Sequence, residues 1–175
     1  EKINLAGITK MTNQSTGQAY VTVDDAGENQ IMIHGGANMA FTPADVEAHR
    51  DIIETSDFVV AQFESAVDST VEAFKIAQAA GVRTILNPAP AMEKVPAELL
   101  AVTDMIVPNE TETETLTGIA ITDEASMLKA SAALHALGIS AVIITIGSKG
   151  AFYDIDGRHG IVPAFKVEAV DTTSA

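Results

Sequence analysis

Short apolar runs at residues 58–62, 82–86, 105–107 and 141–146 read as strands, the first as a buried one. Between them, residues 68–80 and 124–137 read as helices and residues 96–102 as a short one. Gly81 and Gly138 follow two of these stretches directly, in the place of a left-handed stop. Strands and helices alternating through short links predict an α/β domain: an open, mostly parallel sheet with helices on both faces. Residues 42–54 predict one further helix, with Thr42 as cap, Pro43 in the first position and Asp45 placed for a capping box.

The pattern differs at the two ends. Residues 18–23 and 29–34 alternate β-forming and polar side chains around a turn at 24–28, which predicts an antiparallel hairpin. Thr16-Gly17 precedes it and Gly35-Gly36-Ala37-Asn38 follows it, so residues 16–36 form a ribbon between two small-residue hinges, suited to a lid or a dimer contact. After Ile146, turns at 147–150 and 156–157 separate short segments at 151–154, 160–163 and 165–170, read as antiparallel strands finishing the sheet. No internal repeat or low-complexity linker divides the chain, so residues 1–175 read as one α/β domain with a hairpin appended.

Composition narrows the partners. The 24 acidic residues outnumber the 10 basic ones, for a formal net charge of -14, which argues against nucleic acid and anionic membrane surfaces. A phosphate ligand would then need backbone N–H groups, a helix N-terminus or metal cations to offset repulsion. Without cysteine there is no disulfide, thiolate metal site or cysteine nucleophile, and the histidines (His34, His49, His135, His159) are scattered as structural or surface residues. No apolar run reaches the roughly 18 residues of a membrane span and no signal peptide is visible, so a soluble, cytoplasmic protein is expected. The first residue is not Met, which suggests a piece of a longer protein.

The chemistry gathers at strand ends. In a parallel sheet the carboxyl ends share one rim, where ligands of open α/β proteins sit. Here that rim carries Phe63-Glu64, Asn87-Pro88, Asn109 to Glu112, and Thr145 to Gly150. Pro108 ends the third run, Asn109 caps a helix with Glu110, Glu112 and Glu114 in its first turns, and Gly118 closes it. Such acids complement a helix dipole, and Glu112 could also hold a hydrated magnesium ion together with phosphate oxygens. Thr145-Ile146-Gly147-Ser148-Lys149-Gly150 offers N–H groups and hydroxyls to a polyphosphate without being a Walker loop. Glu64 can accept hydrogen bonds from a polyol or stand as a solvated acid, and Asp171 with Thr172 and Thr173 reads as helix-capping material.

Taken together and in order, these segments resemble the ribokinase-like (PfkB-type) carbohydrate kinases. The likeness is carried by Asn87-Pro88-Ala89-Pro90-Ala91, Pro108-Asn109-Glu110-Thr111-Glu112, Thr145 to Gly150 and Val170-Asp171-Thr172-Thr173. Ser15-Thr16-Gly17, Gly35 to Asn38 and Gln62-Phe63-Glu64 match as well. The resemblance implies ATP as phosphoryl donor and a sugar as acceptor, with D-ribose and its 5-hydroxyl the expected case. It implies that Asn109 lies in the nucleotide site, that Glu112 is linked to Mg2+, and that Thr145, Ile146, Gly147, Ser148, Lys149 and Gly150 line the ATP pocket. It places Glu64 near the sugar, Asp171 and Thr173 around an activating K+ ion, and the hairpin as a lid that pairs with a second subunit in a homodimer. The family's glycine-rich sugar-binding segment would precede Glu1. Its catalytic Asp would lie beyond Ala175, with Ser174 where the family has Ala or Gly, so no catalytic base is expected in these residues and the chain alone is expected to be inactive. A sister sugar or nucleoside kinase, and a non-catalytic sugar- or nucleotide-binding module, fit the same pattern.

Overall fold

The computed structural model describes residues 3–24 and 29–166. Strands β1 (Gln18–Val23) and β2 (Asn29–His34) form the antiparallel hairpin, in register Tyr20 to Met32 and Val21 to Ile31. A 3-10 turn (Gly36–Ala40) leads to the short helices α1 (Pro43–Glu47) and α2 (Arg50–Glu54). The main sheet follows: β3 (Phe58–Ala61), α3 (Val67–Ala80), β4 (Arg83–Leu86), α4 (Ala97–Leu100), β5 (Met105–Ile106), α5 (Glu110–Thr117), α6 (Glu124–His135), β6 (Ala141–Thr145), β7 (Ala151–Ile155) and β8 (Arg158–Val162). Its strands lie in chain order, parallel from β3 to β6 and antiparallel from β6 through β8.

Local chemistry sets the boundaries. Gly81 and Gly118 stop α3 and α5 with φ of 75° and 71°. Asp156 and Gly157, at φ 53° and 72°, make the tight turn between β7 and β8, the geometry that matches the right-handed twist of a hairpin. Residues 42–54 form two helices instead of the one expected. The Nδ1–H of His49 donates to the Asp45 carbonyl at 2.9 Å, while its own backbone N–H turns to Val46 O. The ring thus takes the acceptor that a continuing α-helix needs, and the chain tightens there. Thr42 and Asp45 form the expected capping box.

The sheet's two faces differ. Every crossover between parallel strands moves the same way along the sheet, and right-handed crossovers then place their helices on one side. That side holds the core: Phe74 of α3, Leu99 of α4 and Leu134 of α6 pack with Leu86, Ile106, Val142, Ile144 and Phe152. On the opposite side lie the alternate residues Phe58, Val60, Ile85, Met105 and Ile143. Among the described residues, α3, α4 and α6 contribute to the core on this face. β3 is correspondingly not the buried strand expected: it is an edge strand, with Phe58 52% and Val60 64% exposed. Residues 163–166 have no regular structure, which removes the expected strand's start at Phe165, and the rest of that segment lies outside the described residues. The turn at 25–28 lies outside them too.

Candidate functional site

Backbone hydrogen bonds join neighbouring segments along the carboxyl rim of the parallel strands. Asn87 N–H donates to Ala61 O at 2.9 Å and Phe63 N–H to Ala89 O at 2.8 Å, tying the end of β3 to the turn after β4. Val107 N–H donates to Leu86 O and Thr145 N–H to Pro108 O, at 2.8 and 2.9 Å, which carries the chain of contacts on to β5 and β6. Asn109 and Thr145 lie in a parallel bridge. The expected nucleotide residues of two separate segments are thus brought side by side.

Asn109 and Glu112 form a reciprocal pair. Asn109 caps α5 by accepting Glu112 N–H on Oδ1 at 2.8 Å, while Glu112 Oε2 accepts Asn109 N–H at 2.8 Å and Oε1 accepts Asn109 Nδ2–H at 3.0 Å. Glu112 is 7% exposed. Both its oxygens retain lone pairs beyond these bonds, so the carboxylate holds the helix start and still has acceptor capacity. Among the described residues no three His, Cys, Asp or Glu side chains gather as a metal site. Glu112 would therefore hold a cation only together with water and phosphate oxygens, the pattern usual for magnesium.

The turn after β6 is equally constrained. N–H groups of Ile146, Lys149 and Gly150 bond within it, to Gly150 O, Ile146 O and Gly147 O. For those of Gly147 and Ser148 no backbone partner is seen in the turn among the described residues. Gly150 has φ 111°, and a Cβ there would lie 2.0 Å from Val162 O. This position tolerates no side chain, because the start of β7 passes directly against the end of β8.

Glu64 stands apart from this group. Two strand spacings, ~10 Å, separate the β3 end from β5, with the Asn87–Pro90 turn between. Glu64 lines a cavity of about 360 Å³ with Asn38, Phe41, Gln62, Ser69 and Thr70. It also lines a smaller one of about 140 Å³ under the hairpin with Ala19, Ile33, His34 and Asn38. Ser69 Oγ–H donates to Phe41 O at 2.7 Å, fixing the segment after the hairpin onto α3. The sequence marked Asn38 as a hinge residue in a segment that matches the family, without a role at a site. Its place beside Glu64 depends on the fold around the hairpin roots, for which spacing gives no signal. Asp171 and Thr173 lie outside the described residues.

The pfkB family carbohydrate kinase pattern matches residues 1–175. The chain belongs to that family. Relatives of this pfkB-family chain include the bifunctional ribokinase/ribose-5-phosphate isomerase A of Fructilactobacillus sanfranciscensis, 50% identical over 99% of the chain and 32% of the relative. The ribokinase of Staphylococcus aureus is 46% identical over 99% of the chain and 57% of the relative. The solved structure of Arabidopsis thaliana ribokinase with ribose and ATP superposes with a TM-score of 0.84 at 33% identity, covering 92% of this chain and 53% of that one. The chain thus spans 32% to 57% of the length of these relatives. No helix among the described residues is long and apolar enough to cross a membrane.

Proposed function

We propose that the full-length protein transfers the γ-phosphoryl group of ATP to the 5-hydroxyl of D-ribose. The observation that carries this reading is the 46–50% identity to ribokinases across 99% of the chain. Within that frame, Asn109, Thr145, Ile146, Gly147, Ser148, Lys149 and Gly150 bind the nucleotide, and Glu64 accepts hydrogen bonds from the sugar. Glu112 would hold Mg2+ through its remaining lone pairs, and Asp171 and Thr173 would serve K+. Bound magnesium would neutralise charge on the phosphates. The chain's own residues contribute binding and orientation, with the N–H groups of Gly147 and Ser148 donating to phosphate oxygens and water excluded by closure of the hairpin. Transfer also requires a base for the attacking hydroxyl. That base is assigned to the Asp of the family's Gly-Asp motif, which would follow Ala175.

The hairpin is read as both lid and dimer contact. Ala19 and Ile33 face the hollow that contains Glu64, while Tyr20 and Met32 lie on the opposite side of the ribbon and are open to a second copy. A cytoplasmic location belongs to the same reading, as do the absence of nucleic-acid and membrane partners.

The test is a coupled ADP-release assay with ATP, magnesium, potassium and ribose, run on the full-length protein and on residues 1–175. Ribose-dependent turnover by the first and none by the second is expected. Turnover by residues 1–175 alone would overturn the placement of the base. Silence from the full-length protein would overturn the kinase reading in favour of a binding module.

A further inference from the structure

We infer that Asn38 binds a ring hydroxyl of the sugar, facing Glu64 from the foot of the hairpin. This rests on the sugar-kinase reading above and adds a residue that determines acceptor specificity. Asn38 lines the cavity of about 360 Å³ at the end of β3, the hollow of about 140 Å³ under the hairpin, and a third of about 200 Å³ bordered by Gly7, Thr9 and Met11. Glu64 shares the first two. The sugar expected beside Glu64 therefore lies in space that Asn38 also borders.

The backbone around Asn38 is fixed by its neighbours. Asn38 N–H donates to Gly35 O at 3.2 Å, and Ala37 N–H donates to Ser15 O at 2.8 Å, so the two roots of the hairpin are bonded to each other. Gly36 sits at φ 52°, and a Cβ there would come within 2.4 Å of Ser15 O. Gly17 clears room for the amide itself: a Cβ at that position would stand 2.8 Å from Asn38 Nδ2. A rigid crossing thus holds a side chain whose amide makes no hydrogen bond to another described residue.

The chemistry of the pair suits a polyol. A sugar hydroxyl both donates and accepts; the Glu64 carboxylate accepts only, while the Asn38 amide offers N–H donors as well as an acceptor. Between them they satisfy both capacities of a hydroxyl or of adjacent hydroxyls. Because Asn38 follows directly on the lid's root, closure of the lid and capture of the sugar share one residue.

Steady-state kinetics of the full-length protein test this with Asn38→Asp, which keeps shape and loses the N–H donors, and with Asn38→Ala. Loss of one such bond is expected to raise the ribose KM roughly five- to tenfold, with the ATP KM unchanged. A panel of monodeoxy pentoses is the second readout: for the sugar lacking the contacted hydroxyl, variant and wild type should converge. An equal defect with every deoxy sugar, or a parallel rise in the ATP KM, would make Asn38 a hinge element and overturn the inference. An unchanged ribose KM in both variants, with Glu64→Gln still impaired, would overturn it while leaving the sugar site in place. If Glu64→Gln is also silent, the placement of the sugar itself fails.

Discussion

Glu112 has two demands on it at the scale of a single side chain. It completes the start of α5 through Asn109, and it is proposed to hold magnesium. Substitution separates them, because Gln at this position still serves a capping box while giving up the charge. Glu112→Gln in the full-length protein keeps one of the two bonds from Asn109, so it should cost about 1 kcal/mol of stability and move half-maximal activity to higher magnesium. A magnesium titration that superposes on that of wild type would leave Glu112 with the helix alone. Asn109→Ala should instead cost about 1 kcal/mol of stability, the usual loss for an N-cap, readable in urea unfolding. Gly150 makes the steric counterpart. Gly150→Ala combines a positive φ with a Cβ 2.0 Å from Val162 O and should cost at least about 3 kcal/mol. Gly118→Ala meets open space at φ 71°, so about 1–2 kcal/mol is expected there.

Helix caps also set a pH dependence. Asp123 is held below the ordinary carboxylate range by Ser126, whose backbone N–H bonds it first and whose hydroxyl adds to the effect. Asp45 is lowered likewise by the Thr42 hydroxyl and backbone. A carboxyl whose folded value is depressed contributes stability above its unfolded value and loses that contribution as pH falls through the folded one. Both caps should therefore weaken on acidification and stay constant above the carboxylate range. Asp123→Asn keeps a capping side chain without a titrating group, so its melting temperature should fall less steeply with acid than that of wild type. Parallel acid profiles would show that this cap does not contribute. These elements also show what the sequence makes legible. Capping boxes, glycine stops and the strand–helix alternation are local signals, and they placed α3, α5, α6 and the rim residues correctly. The break at His49 was not legible because it depends on a side chain competing for a backbone carbonyl. The exposure of β3 was not legible because Phe58-Val59-Val60-Ala61 reads the same at an edge as in a centre. Asn38 was hidden for a similar reason, since its neighbour Glu64 is brought near by the fold.

Across the whole molecule, the hairpin and the main sheet have different relations to a core. The sheet buries one face against α3, α4 and α6, whereas both faces of the hairpin meet solvent, with Tyr20, Val21, Ile31, Met32 and Ile33 among its exposed residues. An isolated two-stranded ribbon is marginal in water, so its order depends on what covers it. Ala19 and Ile33 border the hollow at Glu64, which leaves the Tyr20 and Met32 side for the second subunit proposed above. A charge there should separate assembly from folding, because the residue is remote from the core. Met32→Lys, at a side chain 73% exposed, should shift the full-length protein from dimer to monomer in sedimentation velocity without lowering the main thermal transition. If the lid closes only when its outer side is paired, the ribose KM should rise in the same variant while the ATP KM stays fixed. A dimer that survives Met32→Lys at low micromolar concentration would place the interface elsewhere. A monomer with an unchanged ribose KM would show instead that the ribbon orders itself over the sugar from one side alone.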